Sequence, residues 1–237
     1  MSTPAVEEYL ELLYRLDAAA APTRPADIAR GLGVSTAAVA EMLARLEADR
    51  LVSRGDGRTV QLTSEGLGIG RAQVRKHRLA ERLLHGILKR PWDAVHDEAC
   101  RFEHVMTDDL TESLVEALGD PATCPHGNPI PHLDDPEDTP PSDSRETPLA
   151  GCRAGQRAVV SRIVDEEREL LKYLLSLGVL PGVELEVEQV APFGGPLLIR
   201  VGEARYAIGR DVSQRIRVVP AESLAVAPVA DRVLSAS

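Results

Sequence analysis

The apolar residues of the first fifty positions recur three or four residues apart, the spacing of helices with one buried face. This pattern predicts helices over residues 5–18 and 25–31, and a third over residues 36–49. Ser35 is a favourable N-cap for the third helix, and Gly33 supplies the tight turn before it. Two short helices joined by a glycine-containing turn are typical of a helix-turn-helix motif.

A short hairpin and further helices follow this motif. Segments 51–53 and 60–62 flank a Gly-Asp-Gly turn at 55–57, which predicts the wing of a winged helix. Helical spacing then resumes over residues 64–88, 92–104 and 108–118. The first half of the chain is therefore predicted to be helical apart from the wing.

The chain changes character after residue 120. Prolines recur, and residues 134–149 are predicted to form an acidic, proline-rich linker. Beyond it the pattern predicts short strands over residues 158–164, 183–190, 197–201, 205–208 and 216–219, with one helix over residues 168–177. Five short strands with one helix are typical of a small barrel.

These patterns predict a mainly α protein with a small β domain. The expected order is an N-terminal winged helix-turn-helix domain (1–63), a helical domain (64–133), the linker (134–149), a C-terminal small β-barrel (150–225) and a tail (226–237).

The net charge of −10 argues against a nucleic-acid partner, but the charge is unevenly distributed. Residues 20–90 carry 13 Lys or Arg and 7 Asp or Glu, whereas residues 91–237 carry 13 and 26. A basic module before an acidic one is compatible with DNA binding, although local charge also fluctuates without functional meaning. The three scattered cysteines do not suggest a disulfide framework. No apolar run has transmembrane length and no export signal is evident, so we expect a cytoplasmic protein with no membrane partner.

Residues of metal-ligand type recur at helical spacing between positions 77 and 104. His77 and Glu81 lie four residues apart and share a helix face. The next helix carries a stripe of four such residues, at i, i+4, i+7 and i+8: His96, Cys100, Glu103 and His104. A single histidine of this kind is usually only hydrogen-bonded, and a single His–Glu pair usually lies on the surface. Two sets on adjacent helices indicate a divalent metal, because buried groups of this type are costly without a partner.

The ligand types also narrow the metal and the function. Mixed imidazole, carboxylate and thiolate ligands differ from structural zinc sites and favour manganese, iron, cobalt or nickel. The chain has no His-Glu-x-x-His motif, glycine-rich phosphate loop or positioned nucleophile, so we expect no enzyme and no catalytic residues. A metalloenzyme using the His, Cys and Glu residues is a remote alternative.

Three stretches resemble the diphtheria toxin repressor family of metal-dependent regulators. They are Arg75–Leu84, His96–Met106 and Pro125–Pro131. The resemblance covers about residues 5–133 closely and 150–220 more weakly, and it implies that the barrel is similar to the FeoA domain of ferrous-iron transport proteins. It also implies that the helices between 64 and 118 form the surface of a homodimer.

The resemblance implies two metal sites. The first would contain His77, Glu81 and His96, completed by Glu167 of the C-terminal domain. The second would contain Cys100, Glu103 and His104, completed by Glu8 and Glu11 of the first helix. Iron regulators of this family have methionine where this chain has Glu8, and manganese regulators have a carboxylate, whereas Cys100 is the iron-type choice. The expected cofactor is therefore manganese(II) or iron(II), with manganese preferred.

The resemblance further implies how DNA is bound. The helix that begins after Ser35 would enter the major groove of double-stranded operator DNA, and a dimer would require a palindromic operator. The expected DNA-binding residues are Arg24, Ser35, Thr36, Ala37, Glu41 and Arg58. Arg24 and Arg58 would contact phosphates.

The sequence thus predicts a manganese(II)-activated transcriptional repressor that controls genes of metal uptake and homeostasis. One alternative is an iron(II)-dependent repressor of the same fold. Another is a metal-independent winged-helix regulator with vestigial ligands.

Overall fold

The computed structural model describes residues 3–19, 21–133 and 145–222, except for the side chain of Arg58. The chain forms two compact units. The first runs up to Cys124 and resumes at Pro129; the second contains Pro125–Asn128 and the described residues from 145 onward. The segment assigned above to the helical domain is therefore divided between the units at this loop. Most of the expected linker (134–144) and the expected tail (226–237) lie outside the described residues.

The first unit begins with the winged helix-turn-helix that the sequence predicts. Its helices are α1 (Pro4–Ala18), α2 (Pro25–Leu32) and α3 (Thr36–Ala48), and its wing consists of the antiparallel strands β1 (Val52–Arg54) and β2 (Val60–Leu62). Ser35 is the N-cap of α3: its Oγ accepts a hydrogen bond from the amide of Ala38 at 3.2 Å.

The core of this module includes one face of α1. Leu10 of α1 is fully buried with Ile28 of α2 and with Leu43 and Leu46 of α3. Each such leucine or isoleucine stabilises the fold by about 1.5–3 kcal/mol through burial. The first helix is therefore an integral part of the DNA-binding module.

Three further helices complete the first unit. They are α4 (Ser64–Arg82), α5 (Val95–Phe102) and α6 (Asp108–Leu118). A Cβ at position 70 of α4 would lie 2.6 Å from the carbonyl oxygen of Leu10. Glycine at this position therefore lets α4 pack closely against the backbone of α1.

Two turns depart from the predicted helices. The helix predicted over residues 64–88 continues beyond Arg82 as a π-helical turn, Leu83–Ile87, and Lys89 at φ 55° ends it. The helix predicted over residues 92–104 begins only at Val95 and ends in a 3₁₀ turn, Glu103–Val105. A 3₁₀ turn has about three residues per turn rather than 3.6, so its side chains leave the stripe that α-helical spacing predicts.

The second unit contains a six-stranded antiparallel sheet in the order β3-β8-β4-β5-β6-β7. The strands are β3 (Thr147–Pro148), β4 (Gln156–Ile163), β5 (Glu184–Val190), β6 (Leu197–Val201), β7 (Ala204–Ile208) and β8 (Ile216–Pro220). Two helices accompany them, α7 (Arg168–Leu177) and α8 (Arg210–Gln214). The sequence analysis did not predict β3 or α8, which are too short to show a period. The predicted fold class, mainly α with a small β domain, is confirmed.

The core of the second unit includes residues of α7 and of the sheet. Leu171 and Leu174 of α7 are fully buried, as are Ile163 of β4 and Leu185 of β5. None of the helices in the described part of the chain has the length and apolar character needed to cross a membrane.

Candidate metal centre

Four neighbouring parts of the first unit bring eight of the predicted ligands together, with Glu7 beside them. The side chains are Glu7, Glu8 and Glu11 of α1, His77 and Glu81 of α4, His96 and Cys100 of α5, and Glu103 and His104 of the 3₁₀ turn. The pairs at i, i+4 share a helix face because a helix turns once in 3.6 residues. The close packing of α1 against α4 places the acids of α1 beside the histidines.

The first predicted ligand group is assembled by α4 and α5. Nε2 of His77 lies 3.3 Å from Oε1 of Glu81 and 3.0 Å from Nδ1 of His96. Nδ1 of His96 in turn lies 3.5 Å from Oε1 of Glu81. Sγ of Cys100 lies 3.7 Å from Nε2 of His96. His77, His96 and Cys100 each direct one ligand atom to a common region, with those atoms within 4.8 Å of one another.

The second predicted group is assembled around His104. Its Nε2 lies 3.5 Å from Oε1 of Glu103 and 3.8 Å from Oε1 of Glu8. Glu11, expected in the same group, instead approaches His77: its Oε1 lies 4.0 Å from Nδ1 of His77. Cys100 likewise makes its hydrogen-bonding contact with His96 rather than with His104.

His77 joins the two predicted groups into one cluster. Its Nδ1 contacts Oε2 of Glu103 at 2.5 Å, while its Nε2 faces Glu81. The partition into two separate sets is therefore not seen in this arrangement. Glu103, at the start of the 3₁₀ turn, lies close enough to α4 to contact His77.

The cluster is buried but reachable. Glu11, Glu81 and Glu103 are at most 7% exposed. A cavity of about 240 Å³ opens beside them, lined in part by Glu8, Glu11, His96, Cys100 and Glu103. A cation entering this cavity would meet carboxylate, imidazole and thiol groups, with the guanidinium of Arg15 in the same lining.

The imidazole of His77 and its acidic neighbours shift one another's pKa values. Burial alone would lower the pKa of His77, but Glu81, Cys100, Glu103 and Glu11 together raise it well above its ordinary value. Burial, reinforced by Glu103, raises the pKa of Glu11. Burial also opposes ionisation of Glu103, yet hydrogen bonding to His77 lowers its pKa.

The pKa of the Cys100 thiol is shifted in the same direction as the pKa of Glu103. Burial opposes its ionisation, but hydrogen bonds with His77 and His96 lower the pKa of Cys100. A lowered pKa favours the thiolate, the form that binds metals.

The residues fit a divalent cation on two grounds. Three buried carboxylates crowd together beside the imidazole of His77, and buried acids so close to one another are costly without positive charge nearby. In addition, Nε2 of His104 is buried and has no hydrogen-bond partner among the described residues. A mixed set of imidazole, carboxylate and thiolate donors suits a first-row transition metal.

The acid predicted from the C-terminal domain does not occupy a comparable position. Glu167 is the residue before α7, its side chain is 65% exposed, and its carboxylate lies 3.9 Å from Arg215. The buried acid of this segment is Glu166, which accepts a hydrogen bond from Nδ2 of Asn128 at 2.8 Å and lies 3.4 Å from Nδ1 of His126. The run Asp-Glu-Glu gives no periodic signal that distinguishes the inward-facing acid from the outward-facing one.

Five of the six predicted DNA-binding residues have described side chains, and all five are exposed. Ser35, Thr36, Ala37 and Glu41 are exposed at the start of α3. Arg24 is also exposed and pairs with Asp27 at 2.9 Å. The side chain of Arg58 lies outside what the structure describes. The DNA contacts of these residues stay predictions.

Two residues of the cluster were missed by the sequence analysis. Oε2 of Glu7 lies 2.9 Å from Nδ1 of His104, and the buried amide of Gln73 lies 3.3 Å from the same nitrogen. Each lies four residues before a predicted ligand, Glu11 and His77 respectively, so the helical spacing contained the signal.

Known protein families match the chain in three successive segments. The "Iron dependent repressor, N-terminal DNA binding domain" matches residues 1–57, the "Iron dependent repressor, metal binding and dimerisation domain" matches residues 63–132, and the FeoA domain matches residues 147–220. The iron-dependent repressor IdeR of Mycobacterium tuberculosis is 35% identical over 221 residues, 90% of this chain and 95% of that protein. The chain belongs to the iron-dependent repressor family. The predicted resemblance to the diphtheria toxin repressor is thereby confirmed.

The chain is also similar to other metal-dependent repressors. The diphtheria toxin repressor of Corynebacterium glutamicum is 38% identical over 187 residues, 76% of this chain and 82% of that protein. A solved structure described as a manganese-dependent transcriptional repressor in complex with manganese has a TM-score of 0.80 and 32% identity, covering 91% of this chain and 99% of that one.

Membership of the iron-dependent repressor family establishes the general function. The protein is a metal-dependent, DNA-binding transcriptional repressor of a dimerising family, and it is not an enzyme. The general prediction made from the sequence is confirmed to this extent.

Proposed function

We propose that this repressor is activated by manganese(II), binds a palindromic operator as a homodimer, and controls genes of metal uptake and homeostasis. The observation that carries the proposal is the oxygen-rich donor set that α1 contributes. Glu8 faces His104 and Glu11 faces His77, so two carboxylates of the first helix border the histidine cluster. Manganese(II) prefers hard oxygen ligands together with imidazole.

The proposed ligands are eight of the nine residues that the sequence analysis named. They are Glu8, Glu11, His77, Glu81, His96, Cys100, Glu103 and His104. Glu167 is omitted because it is exposed beside Arg215. A bound divalent cation would add positive charge beside the buried carboxylates.

The arrangement supports a coupling between metal and DNA. Glu8 and Glu11 belong to the helix whose buried face, including Leu10, packs with Leu43 of α3 in the core of the DNA-binding module. Holding these acids against His104 and His77 restricts α1, and with it the position of α3. Metal and DNA then favour the same conformation, so each tightens the binding of the other by an equal factor.

We assign the roles along the chain accordingly. Residues 1–63 bind DNA, residues 64–133 bind the metal and dimerise, residues 134–149 link, and residues 150–225 form the FeoA-like barrel. Ser35, Thr36, Ala37 and Glu41 read the major groove, and Arg24 and Arg58 contact phosphates. The exposed start of α3 supports this assignment.

One observation favours iron(II) as a second candidate. Cys100 contacts His96 at 3.7 Å, and its lowered pKa favours the thiolate. Thiolate is a softer ligand than carboxylate and shifts preference away from manganese.

Fluorescence anisotropy tests the proposal and separates the two metals. Chelator-treated protein is titrated onto a labelled duplex from the region upstream of its gene, with manganese(II) or, under anaerobic conditions, iron(II). We expect DNA affinity to rise at least about tenfold, or 1.4 kcal/mol of coupling, at a lower concentration of manganese than of iron. A lower threshold for iron would support the second candidate.

Two variants sharpen this experiment. Glu8→Met exchanges the carboxylate for the residue of the iron regulators, and we expect it to raise the manganese threshold more than the iron threshold. Glu203→Gln, an exposed acid between β6 and β7, is the matched control and should behave as wild type. If metal binds but no duplex, including those selected from a random pool, is bound more tightly, the coupling proposal is wrong.

A further inference from the structure

The two ring nitrogens of His104 have different surroundings. Nδ1 lies 2.9 Å from Oε2 of Glu7. Nε2 lies 3.8 Å from Oε1 of Glu8 and 3.5 Å from Oε1 of Glu103, and it has no hydrogen bond among the described residues. The side chain of His104 is only 13% exposed, so an unsatisfied nitrogen here is costly. One nitrogen therefore has a partner and the other is ready to accept one.

The contact with Glu7 determines where the ring proton lies. An ionised carboxylate can only accept hydrogen bonds, so a contact of 2.9 Å requires the proton on Nδ1. The neutral ring then carries its free lone pair on Nε2, the nitrogen that faces Glu8 and Glu103. Histidines that bind metals commonly donate their other ring N–H to a carboxylate in this way, which fixes both the tautomer and the ring orientation.

Gln73 competes for the same nitrogen. Its Nε2 lies 3.3 Å from Nδ1 of His104, but an amide N–H cannot donate to a nitrogen that already carries a proton. The bond to Glu7 is shorter and charge-assisted, and such bonds are the stronger ones. The amide of Gln73 also has a second partner, because it hydrogen-bonds Glu103. Glu7 therefore sets the state of Nδ1.

We propose that Glu7 is a positioning residue of the metal site, which holds Nδ1–H of His104 so that Nε2 is presented to the metal. Glu7 and Glu8 are consecutive on α1 and therefore point about 100° apart, so that one meets each nitrogen of the ring. The inference rests on the proposed function, in which His104 and Glu8 are ligands. It gives α1 two distinct roles, one acid orienting a ligand and the next acting as a ligand.

Metal titration of two variants tests the role of Glu7. Calorimetry with manganese(II) on chelator-treated protein should show a loss of about 10- to 100-fold in affinity for Glu7→Ala. Glu7→Gln keeps an oxygen that accepts from Nδ1–H, so we expect it to recover most of the loss. Asp17→Asn, an exposed acid of the same helix, should leave the affinity unchanged. Equal losses in Glu7→Ala and Glu7→Gln would overturn the proposal, because they would indicate that the charge of Glu7 binds the metal directly.

The tautomer of His104 provides a readout that does not depend on metal. In metal-free, ¹⁵N-labelled protein, two-bond ¹⁵N–¹H correlations should show neutral His104 protonated at Nδ1, and Glu7→Ala should shift the population towards the Nε2–H form. Protonation at Nε2 in the wild-type protein would overturn the inference. Failure of the wild-type protein to bind manganese(II) or iron(II) would instead overturn the proposed function, while the tautomer would still decide the role of Glu7.

Discussion

Carboxylates on strand β5 of the second unit and in the metal cluster of the first unit are treated in opposite ways. In the second unit, acids at alternate positions of β5 are each paired with an arginine of another strand: Glu184 with Arg157, Glu186 with Arg200 and Glu188 with Arg205. In the metal cluster of the first unit, Glu11, Glu81 and Glu103 are buried and crowd together beside the imidazole of His77.

The difference distinguishes acids that form exposed ion pairs on a surface from buried acids that we propose bind a metal. Exposed ion pairs contribute only about 0–1 kcal/mol, and the pairs on the sheet leave no net charge to be satisfied. Buried carboxylates that crowd together are costly, and a bound cation would lower that cost. Both regions are rich in Glu, and the pairing and burial of these side chains distinguish one region from the other.

The largest expected effect is the loss of metal binding on removing Glu103. Glu103 contacts both His77 and His104, so Glu103→Gln removes a charge shared by two ligands while preserving side-chain shape. We expect manganese(II) affinity, measured by calorimetry after chelator treatment, to fall by at least about 100-fold, beyond the range seen for outer-shell residues. Glu203→Gln is the control, and a loss below about threefold would show that Glu103 is not a ligand.

The contrast between the units was only partly accessible from the sequence. Helical spacing predicted α1, α3 and α4, because long amphipathic helices carry many repeats of one period. It could not predict the 3₁₀ turn at residues 103–105, since a single turn contributes too few positions to a period. The structure places Sγ of Cys100 beside His96, so the grouping of Cys100 with His104 around a metal stays a prediction.

The sequence likewise could not predict which of the neighbouring acids before α7 is buried. Asp165, Glu166 and Glu167 precede α7 in irregular backbone, where no periodicity states which side chain turns inward. The buried position of Glu166 depends on Asn128, which comes from a loop 38 residues earlier. Long-range pairing of this kind has no local signature.

The next prediction separates the role of Glu8 in metal-activated DNA binding from any role in the stability of α1. Glu8 is 54% exposed, so Glu8→Ala should change the free energy of unfolding of the metal-free protein by no more than about 0.5 kcal/mol. We expect the same change to reduce metal-activated DNA affinity at least about tenfold by anisotropy, because α1 loses its link to His104. Asp17→Ala on the same helix should retain activation, and full activation of Glu8→Ala would exclude Glu8 as a ligand.

A pH dependence should distinguish the buried cluster from the exposed pairs. The pKa of His77 is raised well above its ordinary value by Glu81 and its other acidic neighbours against the effect of burial, so the metal-free ring keeps its proton to higher pH than an ordinary histidine. A metal binds the neutral ring and must release this proton, so affinity for manganese(II) should rise with pH until the raised pKa is passed. The expected slope is about tenfold per pH unit for each proton released.

Calorimetry in two buffers of different ionisation enthalpy measures this proton release directly. Equal apparent enthalpies in both buffers would mean that no proton leaves, and that His77 either binds no metal or is already neutral. Glu188→Gln, which alters only the sheet surface, should give the wild-type proton count.

The smallest effect is expected on the sheet of the second unit. Glu188 pairs with Arg205 at 2.8 Å and lies 3.3 Å from Arg200, and both arginine side chains are at least 38% exposed. Glu188→Gln should therefore lower the free energy of unfolding, measured by urea denaturation, by only about 0.2–1 kcal/mol, and the loss should shrink at high salt. Manganese(II) affinity should stay at the wild-type value. A loss of metal affinity here would break the comparison, because it would mean that acids of the second unit also serve the metal.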